Sequence, residues 1–219
     1  MKKNLIAAFL AALTLAFCTF LTSCESDISL EVKTKTDGST ALSLNFSAIC
    51  GDALKEMLLA ASGSGADDST GFELFDSTEI SSQLKNAGFS FVQVKGQGSK
   101  LSLSMEDSEC KSYLFTSGLL EQSAGNLKIN LSAAKLKAFY DSCNQELQML
   151  LDLFMAPVFN DEAMQISEYE ELIAAVYGSA VQKEINTSKV RISIKNPDGT
   201  ITKKILSLSA LLCGVEADL

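Results

Sequence analysis

Apolar and polar residues alternate in seven short segments, and this period of two predicts seven β-strands. Three pairs of these segments are separated only by short turns, so each pair predicts an antiparallel hairpin. The first pair surrounds Asp37-Gly38, and the last surrounds Asn196-Pro197-Asp198-Gly199. The predicted strands span residues 28–35, 40–46, 89–95, 100–105, 127–131, 189–195 and 200–208.

Apolar residues that recur every three or four positions predict five helices between these strands. Two of the helices begin at a polar cap, Asp76 and Ser132, and a third begins at the capping box Ser167-Glu168-Tyr169-Glu170. The predicted helices span residues 51–61, 76–88, 109–122, 133–155 and 167–181. Hairpins with interspersed helices favour a single α+β domain, in which about five helices pack on the apolar face of one antiparallel sheet.

The amino-terminal residues have a different pattern. Lys2 and Lys3 precede an uncharged, mostly apolar segment from Leu5 to Phe20. A positive start followed by an apolar segment is typical of a secretory signal peptide. The apolar segment is shorter than the roughly twenty residues that a transmembrane helix needs.

The residues that follow the apolar segment, Leu21-Thr22-Ser23-Cys24, resemble the lipobox of bacterial lipoprotein precursors. This motif has an aliphatic residue, two small residues and an obligatory cysteine. The resemblance covers only the first 24 residues. It implies that a diacylglycerol is attached to the Cys24 thiol, and that a dedicated peptidase cuts between Ser23 and Cys24. The two acyl chains of a diacylglycerol, palmitate for example, suffice for stable membrane attachment.

The resemblance divides the chain into three segments: a cleaved signal peptide at 1–23, a lipidated tether at 24–27 and a folded domain at 28–219. It implies an exported protein of the cell envelope, held by its lipid at the cell membrane or the outer membrane. We recognise no family resemblance in the sequence of the folded domain. The lipid on Cys24 is the only non-protein group that the sequence predicts.

The charge and composition of the chain exclude several classes of function. The chain has 18 basic and 27 acidic residues and no histidine. An acidic surface repels phosphate backbones, so we expect no nucleic-acid partner. The absence of histidine excludes Ser-His-Asp and Cys-His catalytic arrangements, and it excludes histidine-based metal sites.

Four cysteines remain after the predicted cleavage, and they permit two interpretations. An exported chain with an even number of cysteines favours two disulfides, whose pairing the sequence does not fix. Buried reduced thiols that pack like small apolar residues are the alternative. No two of these cysteines have the close spacing of a zinc site. The four residues are Cys50, Cys110, Cys143 and Cys213.

Three functional hypotheses follow. The favoured one is a non-enzymatic binding or structural module with an envelope partner, such as another envelope protein. The second is a carrier or chaperone for an apolar ligand, suggested by the apolar segment from Leu150 to Phe159, although burial in the core explains the same segment. The third is a carboxylate-based hydrolase, although solvated surfaces explain the same acidic groups. The acidic groups are Asp67-Asp68, Glu106-Asp107 with Glu109, and Asp161-Glu162 with Glu168, Glu170 and Glu171.

Overall fold

A computed structural model of the chain describes residues 23–35, 37, 39–61, 77–86, 88–97, 99–123, 126–142, 148 and 151–214. These residues confirm the α+β class, with a six-stranded sheet, a separate two-stranded sheet and helices packed on one side. The strands are β1 Ser23–Thr34, β2 Thr40–Cys50, β3 Phe91–Gln97, β4 Lys100–Asp107, β5 Leu120–Ser123, β6 Asn126–Ile129, β7 Lys189–Lys195 and β8 Ile201–Ser207. The helices are α1 Asp52–Ala61, α2 Ser77–Asn86, α3 Tyr113–Thr116, α4 Ala133–Ser142, α5 Ile166–Tyr177, α6 Ser179–Thr187 and α7 Leu208–Leu212, with a 3-10 turn at Pro157–Phe159.

The large sheet has the strand order β3-β4-β2-β1-β7-β8. All three predicted hairpins are confirmed as antiparallel pairs. The prediction of a purely antiparallel sheet is wrong, because β1 and β7 lie side by side in parallel. Turn residues determine the orientation only within a hairpin. The meeting of β1 with β7 depends on the long segment between them, and a parallel pair requires such a connection.

Two clusters of buried apolar side chains hold the molecule together. The first joins the inner face of the large sheet to α2 and the small sheet, through residues such as Leu103, Ile192, Leu84 and Ile129. The second lies among the helices and contains Tyr169, whose hydroxyl donates to the Phe154 carbonyl oxygen at 2.8 Å. Helices therefore cover one face of the sheet, and none of the described helices packs on the other face, which we call the open face.

Strand β1 begins five residues before its predicted start at position 28. Ser23 pairs with Cys50, and from Glu25 onwards β1 pairs with β2 on one side and β7 on the other. Ser26 is completely buried. The segment 24–27, predicted as a tether, is therefore part of the sheet. The alternation that marks the strand continues backwards to Ser26, a small polar residue that hydropathy does not mark as buried.

The predicted helix at 109–122 is wrong. Only α3 is helical there, and β5 follows it. Cys110 has a φ of 53° and Gly118 a φ of 72°, both in the left-handed region that a right-handed helix excludes. The apolar spacing in this segment comes from a compact loop whose side chains enter both clusters, and not from a helix.

The predicted single helix at 133–155 is also wrong. The Tyr140 hydroxyl donates to Asp152 Oδ1 at 2.7 Å, and the Gln148 amide donates to the Tyr140 carbonyl oxygen at 3.1 Å. In a straight helix, residues 140 and 152 lie about 18 Å apart. Tyr140 and Asp152 therefore do not belong to one straight helix, and a left-handed residue, Met155 with φ 47°, follows the last helical turn.

The predicted helix at 167–181 is two helices, α5 and α6, separated by Gly178 with φ 89°. The observed capping box is Gln165 with Glu168, two residues before the predicted one. The α6 side chain of Glu184 accepts hydrogen bonds from the Ala53 and Leu54 backbone N–H groups at 3.0 and 2.9 Å. A distant carboxylate therefore caps α1. The predicted cap Asp76 lies outside the described residues.

Most of the apolar segment from Leu151 to Phe159 lies in the second cluster, and Leu151, Phe154 and Phe159 are buried there. The Tyr140 and Phe159 rings stack with centroids 4.9 Å apart. This arrangement is that of a packed core, so the described part of the segment gives no support to a groove for an apolar ligand.

Candidate functional site

The open face of the large sheet is the most distinctive surface of the described chain. Strand pairing places its outward-facing residues in rows that cross all six strands, from β3 to β8. The middle row is Gln93, Ser104, Asn45, Ser29, Ser193 and Lys203. The adjacent row is Lys95, Ser102, Ser47, Asp27, Arg191 and Ile205. The next row on the other side of the middle row is Phe91, Glu106, Ser43, Glu31, Lys195 and Ile201.

Small polar side chains cover the four inner strands of this face. They are Ser29, Ser43, Asn45, Ser47, Ser102, Ser104 and Ser193. We refer to these seven residues as the serine floor. Strand surfaces favour β-branched and aromatic residues, so strand propensity does not explain these residues. Their small volume makes the centre of the face flat and accessible to a partner.

Most hydroxyl groups of the serine floor are available for a ligand. Ser104 Oγ donates to Asn45 Oδ1 at 2.8 Å, and Ser193 Oγ donates to the Ile28 carbonyl oxygen at 3.3 Å. Within the described residues, the hydroxyls of Ser29, Ser47 and Ser102 form no side-chain hydrogen bond. A bound molecule rich in hydroxyl groups therefore finds both donors and acceptors here.

A trough of about 480 Å³ lies over this floor. The wall on the β7–β8 side is formed by Arg191, Lys203 and Ile205. Ile205 is 64% exposed, which gives this wall an apolar surface. The trough crosses the strands, so it suits an elongated ligand better than a compact one.

The open face carries an excess of positive charge in an acidic protein. Strand register places four acidic residues on it: Glu25, Asp27, Glu31 and Glu106. Seven basic residues lie on it: Lys33, Lys95, Lys100, Lys189, Arg191, Lys195 and Lys203. The full chain has the opposite balance, with 18 basic and 27 acidic residues. Cations are therefore concentrated on the face that carries the serine floor.

Two of the acidic residues on this face are already neutralised by neighbours. Lys195 Nζ lies 2.8 Å from Glu31 Oε1, and Arg191 Nη1 lies 3.5 Å from Asp27 Oδ1. The hydrogen bond from Lys195 is the main cause that lowers the pKa of Glu31. Lys203 forms no comparable contact among the described residues, so its charge is available to a ligand.

The exposed apolar residues of this face lie at its edges. Phe91 is on the edge strand β3, Ile201 and Ile205 are on the opposite edge strand β8, and Ile49 is next to the last residue of β2. Lys203 and Lys204 stand between the two isoleucines, and charged edge residues discourage pairing with another strand. These apolar residues therefore do not form one continuous patch for a protein partner.

The predicted site cysteines are distributed over the molecule. Cys50 is buried and Cys213 is partly buried, both in the second cluster, whereas Cys110 lies beside the first cluster. These three carry free thiols, and Cys143 lies outside the described residues. The choice between disulfides and buried thiols stays a prediction.

The environments of two thiols disfavour a nucleophilic role. Burial, with a smaller contribution from the Glu170 charge, raises the pKa of Cys213 to about 11. Burial and the Asp107 charge also raise the pKa of Cys110. Because the thiolate is the nucleophile, neither thiol is activated.

We expect Cys213 to react slowly with iodoacetamide in the folded protein. At pH 8 its thiolate population is on the order of 100-fold below that of an ordinary cysteine. Site-resolved mass spectrometry of labelling in buffer and in urea measures the difference, with the unfolded chain as the control. Equal labelling rates in the two conditions would contradict the raised pKa.

The described acidic clusters do not form a carboxylate pair in a cleft. Asp161, Glu162 and Glu171 are exposed on the helical side, and Glu168 caps α5 by accepting from the Gln165 backbone N–H at 3.1 Å. Asp67 and Asp68 lie outside the described residues. Within the described residues, no group of histidine, cysteine, aspartate or glutamate is arranged to hold a metal ion.

A second cavity of about 540 Å³ lies beside Cys110. Its polar groups satisfy one another: Lys35 Nζ donates to the Ser108 carbonyl oxygen at 2.6 Å, and Lys111 donates to Glu109 at 2.7 Å. This cavity is therefore a weaker candidate than the trough.

No protein-family model matches the chain, and neither curated proteins nor solved structures show a detectable similarity to it. Among the described helices, none combines the length and the hydropathy needed to cross a bilayer. The geometry of the open face is therefore the basis for a functional proposal.

Proposed function

We propose that the protein is a lipid-anchored lipoprotein of the bacterial cell envelope that binds an acidic polysaccharide along the open face of its sheet. The anchor rests on the lipobox and Cys24. The ligand class rests on one observation, the serine floor with the unpaired Lys203 on one wall of the trough. The proposal is a binding function without chemistry on the ligand.

The floor and the walls of the trough suit different parts of such a polymer. Hydroxyls of Ser29, Ser47 and Ser102 exchange hydrogen bonds with sugar hydroxyls, which both donate and accept. Lys203 on one wall attracts carboxylate or sulfate groups. Ile205 presents a surface to the apolar C–H face of a sugar ring. A polymer that crosses the strands engages all of these groups together.

A protein partner fits this face less well. The centre of a protein interface is usually apolar and rich in aromatic residues, and charge is depleted there. On this face the centre is occupied by small hydroxyl groups, and the apolar residues lie at the edges. A nucleic acid fits poorly as well, because the floor has no aromatic side chain for base stacking.

A bulky residue on the floor is expected to block binding. Ser47 and Ser102 are direct neighbours across β2 and β4, so Ser47→Tyr fills the trough with a ring that the strand tolerates. We expect Ser47→Tyr to weaken binding by roughly tenfold or more, which corresponds to about 1.4 kcal/mol. The measurement is affinity electrophoresis of the full-length protein in detergent against polygalacturonate, with dextran as the neutral polymer.

Matched variants separate this effect from general perturbation. Ser167→Tyr places the same ring on the exposed surface of α5 and is expected to bind normally. Lys203→Glu is expected to weaken binding, and the loss is expected to be larger at low salt than at high salt. Lys183→Glu on α6 is expected to change binding little. Equal binding to dextran, or binding that Ser47→Tyr leaves unchanged, would overturn the assignment of the ligand. If an envelope protein bound instead, and Ser47→Tyr weakened that binding equally, the ligand of the open face would be a protein and not a polysaccharide.

A further inference from the structure

We propose that the end of the sheet where β1 begins rests directly on the lipid headgroups, so that the strands stand away from the membrane. This inference depends on the proposed lipid anchor. It adds an orientation, and it identifies the surface that contacts the headgroups.

No spacer separates the lipidation site from the sheet. Cys24 lies within β1, and Glu25 is already paired with Ile49 of β2 and Lys189 of β7. Ser26 is completely buried, so separating this part of β1 from the sheet exposes the core. A free four-residue tether spans about 13 Å, but this strand provides no such reach.

One row of residues from all six strands shares this end of the sheet. Strand pairing aligns Gln97, Lys100, Ile49, Glu25, Lys189 and Ser207 in one row. Ile49 is 47% exposed in this row, and the two lysines are exposed. An apolar side chain and long cationic side chains are typical of a membrane interface. Asp52, at the start of α1, is also exposed at this end. Because Asp52 offsets part of the positive charge of the two lysines, their attraction to the headgroups has a minor part. The covalent lipid therefore sets the orientation.

The opposite end of the sheet lies far from the lipidation site. Ile201 pairs with Lys195, which pairs with Glu31. Glu31 is six residues beyond Glu25 on β1, so this row lies about 20 Å farther from the lipid. The trough lies between the two ends and crosses the strands. A polymer bound in the trough therefore lies along the membrane surface.

The chain contains no tryptophan, so a single introduced tryptophan reports its own position. We expect Ile49→Trp to lose roughly half of its emission in vesicles of phosphatidylcholine with brominated acyl chains, because a side chain at the headgroup boundary lies within about 5–10 Å of those chains. We expect Ile201→Trp to keep its emission, because position 201 lies at the opposite end of the sheet. Ile201 is 58% exposed in the native protein. Vesicles of unbrominated lipid give the reference emission for the lipidated protein.

Flotation of the same vesicles separates the two proposals. Protein that floats, with quenching of Ile49→Trp only, supports the orientation. Protein that floats with equal quenching of both variants, or with quenching of Ile201→Trp only, overturns the orientation and leaves the anchor intact. Protein that does not float overturns both. If Ile49→Trp does not fold, Lys100→Trp tests the same row.

Discussion

Replacement of Cys24 by alanine is expected to abolish acylation of the protein and to leave the leader uncut. The thiol of Cys24 is the group to which the lipobox resemblance assigns the diacylglycerol, and alanine has no nucleophile. The expected effect is complete, because no second residue in the motif can replace the sulfur. Intact-mass measurement of the protein from cells, together with incorporation of labelled palmitate, detects both changes.

Cys18 provides a matched control, because it lies in the predicted leader six residues before Cys24. Cys18→Ala is expected to be lipidated and cleaved like the native protein. Membrane partitioning alone is a poor test, because an uncut apolar leader also enters detergent. Normal processing of Cys24→Ala, or a native product with an unmodified thiol at position 24, would contradict the lipoprotein assignment.

The hairpins were predictable because the information for them is local. Alternation fixes each strand, and short turns that contain glycine fix the reversal, with Asp-Gly in two of the three. The structure shows the same turn chemistry twice: Asp37 Oδ1 accepts from the Ser39 backbone N–H at 2.9 Å, and Asp198 Oδ1 accepts from the Thr200 backbone N–H at 2.8 Å. The pairing of β1 with β7 was not predictable, because no local pattern determines which hairpins meet.

The helix errors have a common physical cause. Apolar spacing shows which side chains are buried, but it does not show whether the backbone stays right-handed between them. Gly178 interrupts the predicted helix at 167–181, and its positive φ is accessible to glycine at low cost. Cys110 adopts a positive φ despite its side chain, and sequence propensity gives no warning of that.

The serine floor has a signal in the sequence, but that signal does not by itself predict a site. Serine alternates with leucine or isoleucine in four separate strands, as in Ile28-Ser29-Leu30 and Ile192-Ser193-Ile194. Each case by itself is an ordinary strand with one solvated face. Strand order is needed to see that the serines meet on one surface, because β7 joins β1 only in the folded sheet.

Asp107 has a role that the sequence does not predict. The sequence places it with Glu106 and Glu109, in a solvated surface or a candidate pair of catalytic carboxylates. In the structure Glu106 and Glu109 are exposed, but Asp107 is only 2% exposed. Its carboxylate is turned towards the backbone of the following loop, which strand alternation alone does not reveal.

Replacement of Asp107 by asparagine is expected to lower the free energy of unfolding by roughly 2–4 kcal/mol. Asp107 Oδ1 accepts from the Glu109 and Lys111 backbone N–H groups at 3.2 and 3.1 Å, and Oδ2 accepts from the Ser112 backbone N–H at 2.6 Å. Asparagine keeps one oxygen. Its amide nitrogen then faces a backbone donor in a buried site, so at least one N–H loses its partner.

The neighbouring exposed residue supplies the control, because Glu106→Gln removes a charge from the same strand without removing a buried acceptor. We expect Glu106→Gln to stay within about 0.5 kcal/mol of the native protein. Urea unfolding followed by circular dichroism compares the two variants, since the chain has no tryptophan to report. Equal stability of the variants would show that the loop holds its left-handed turn at Cys110 without the carboxylate. A large loss for Asp107→Asn alone would show that one buried acceptor organises the exit from β4, the strand that supplies Ser102 and Ser104 to the serine floor.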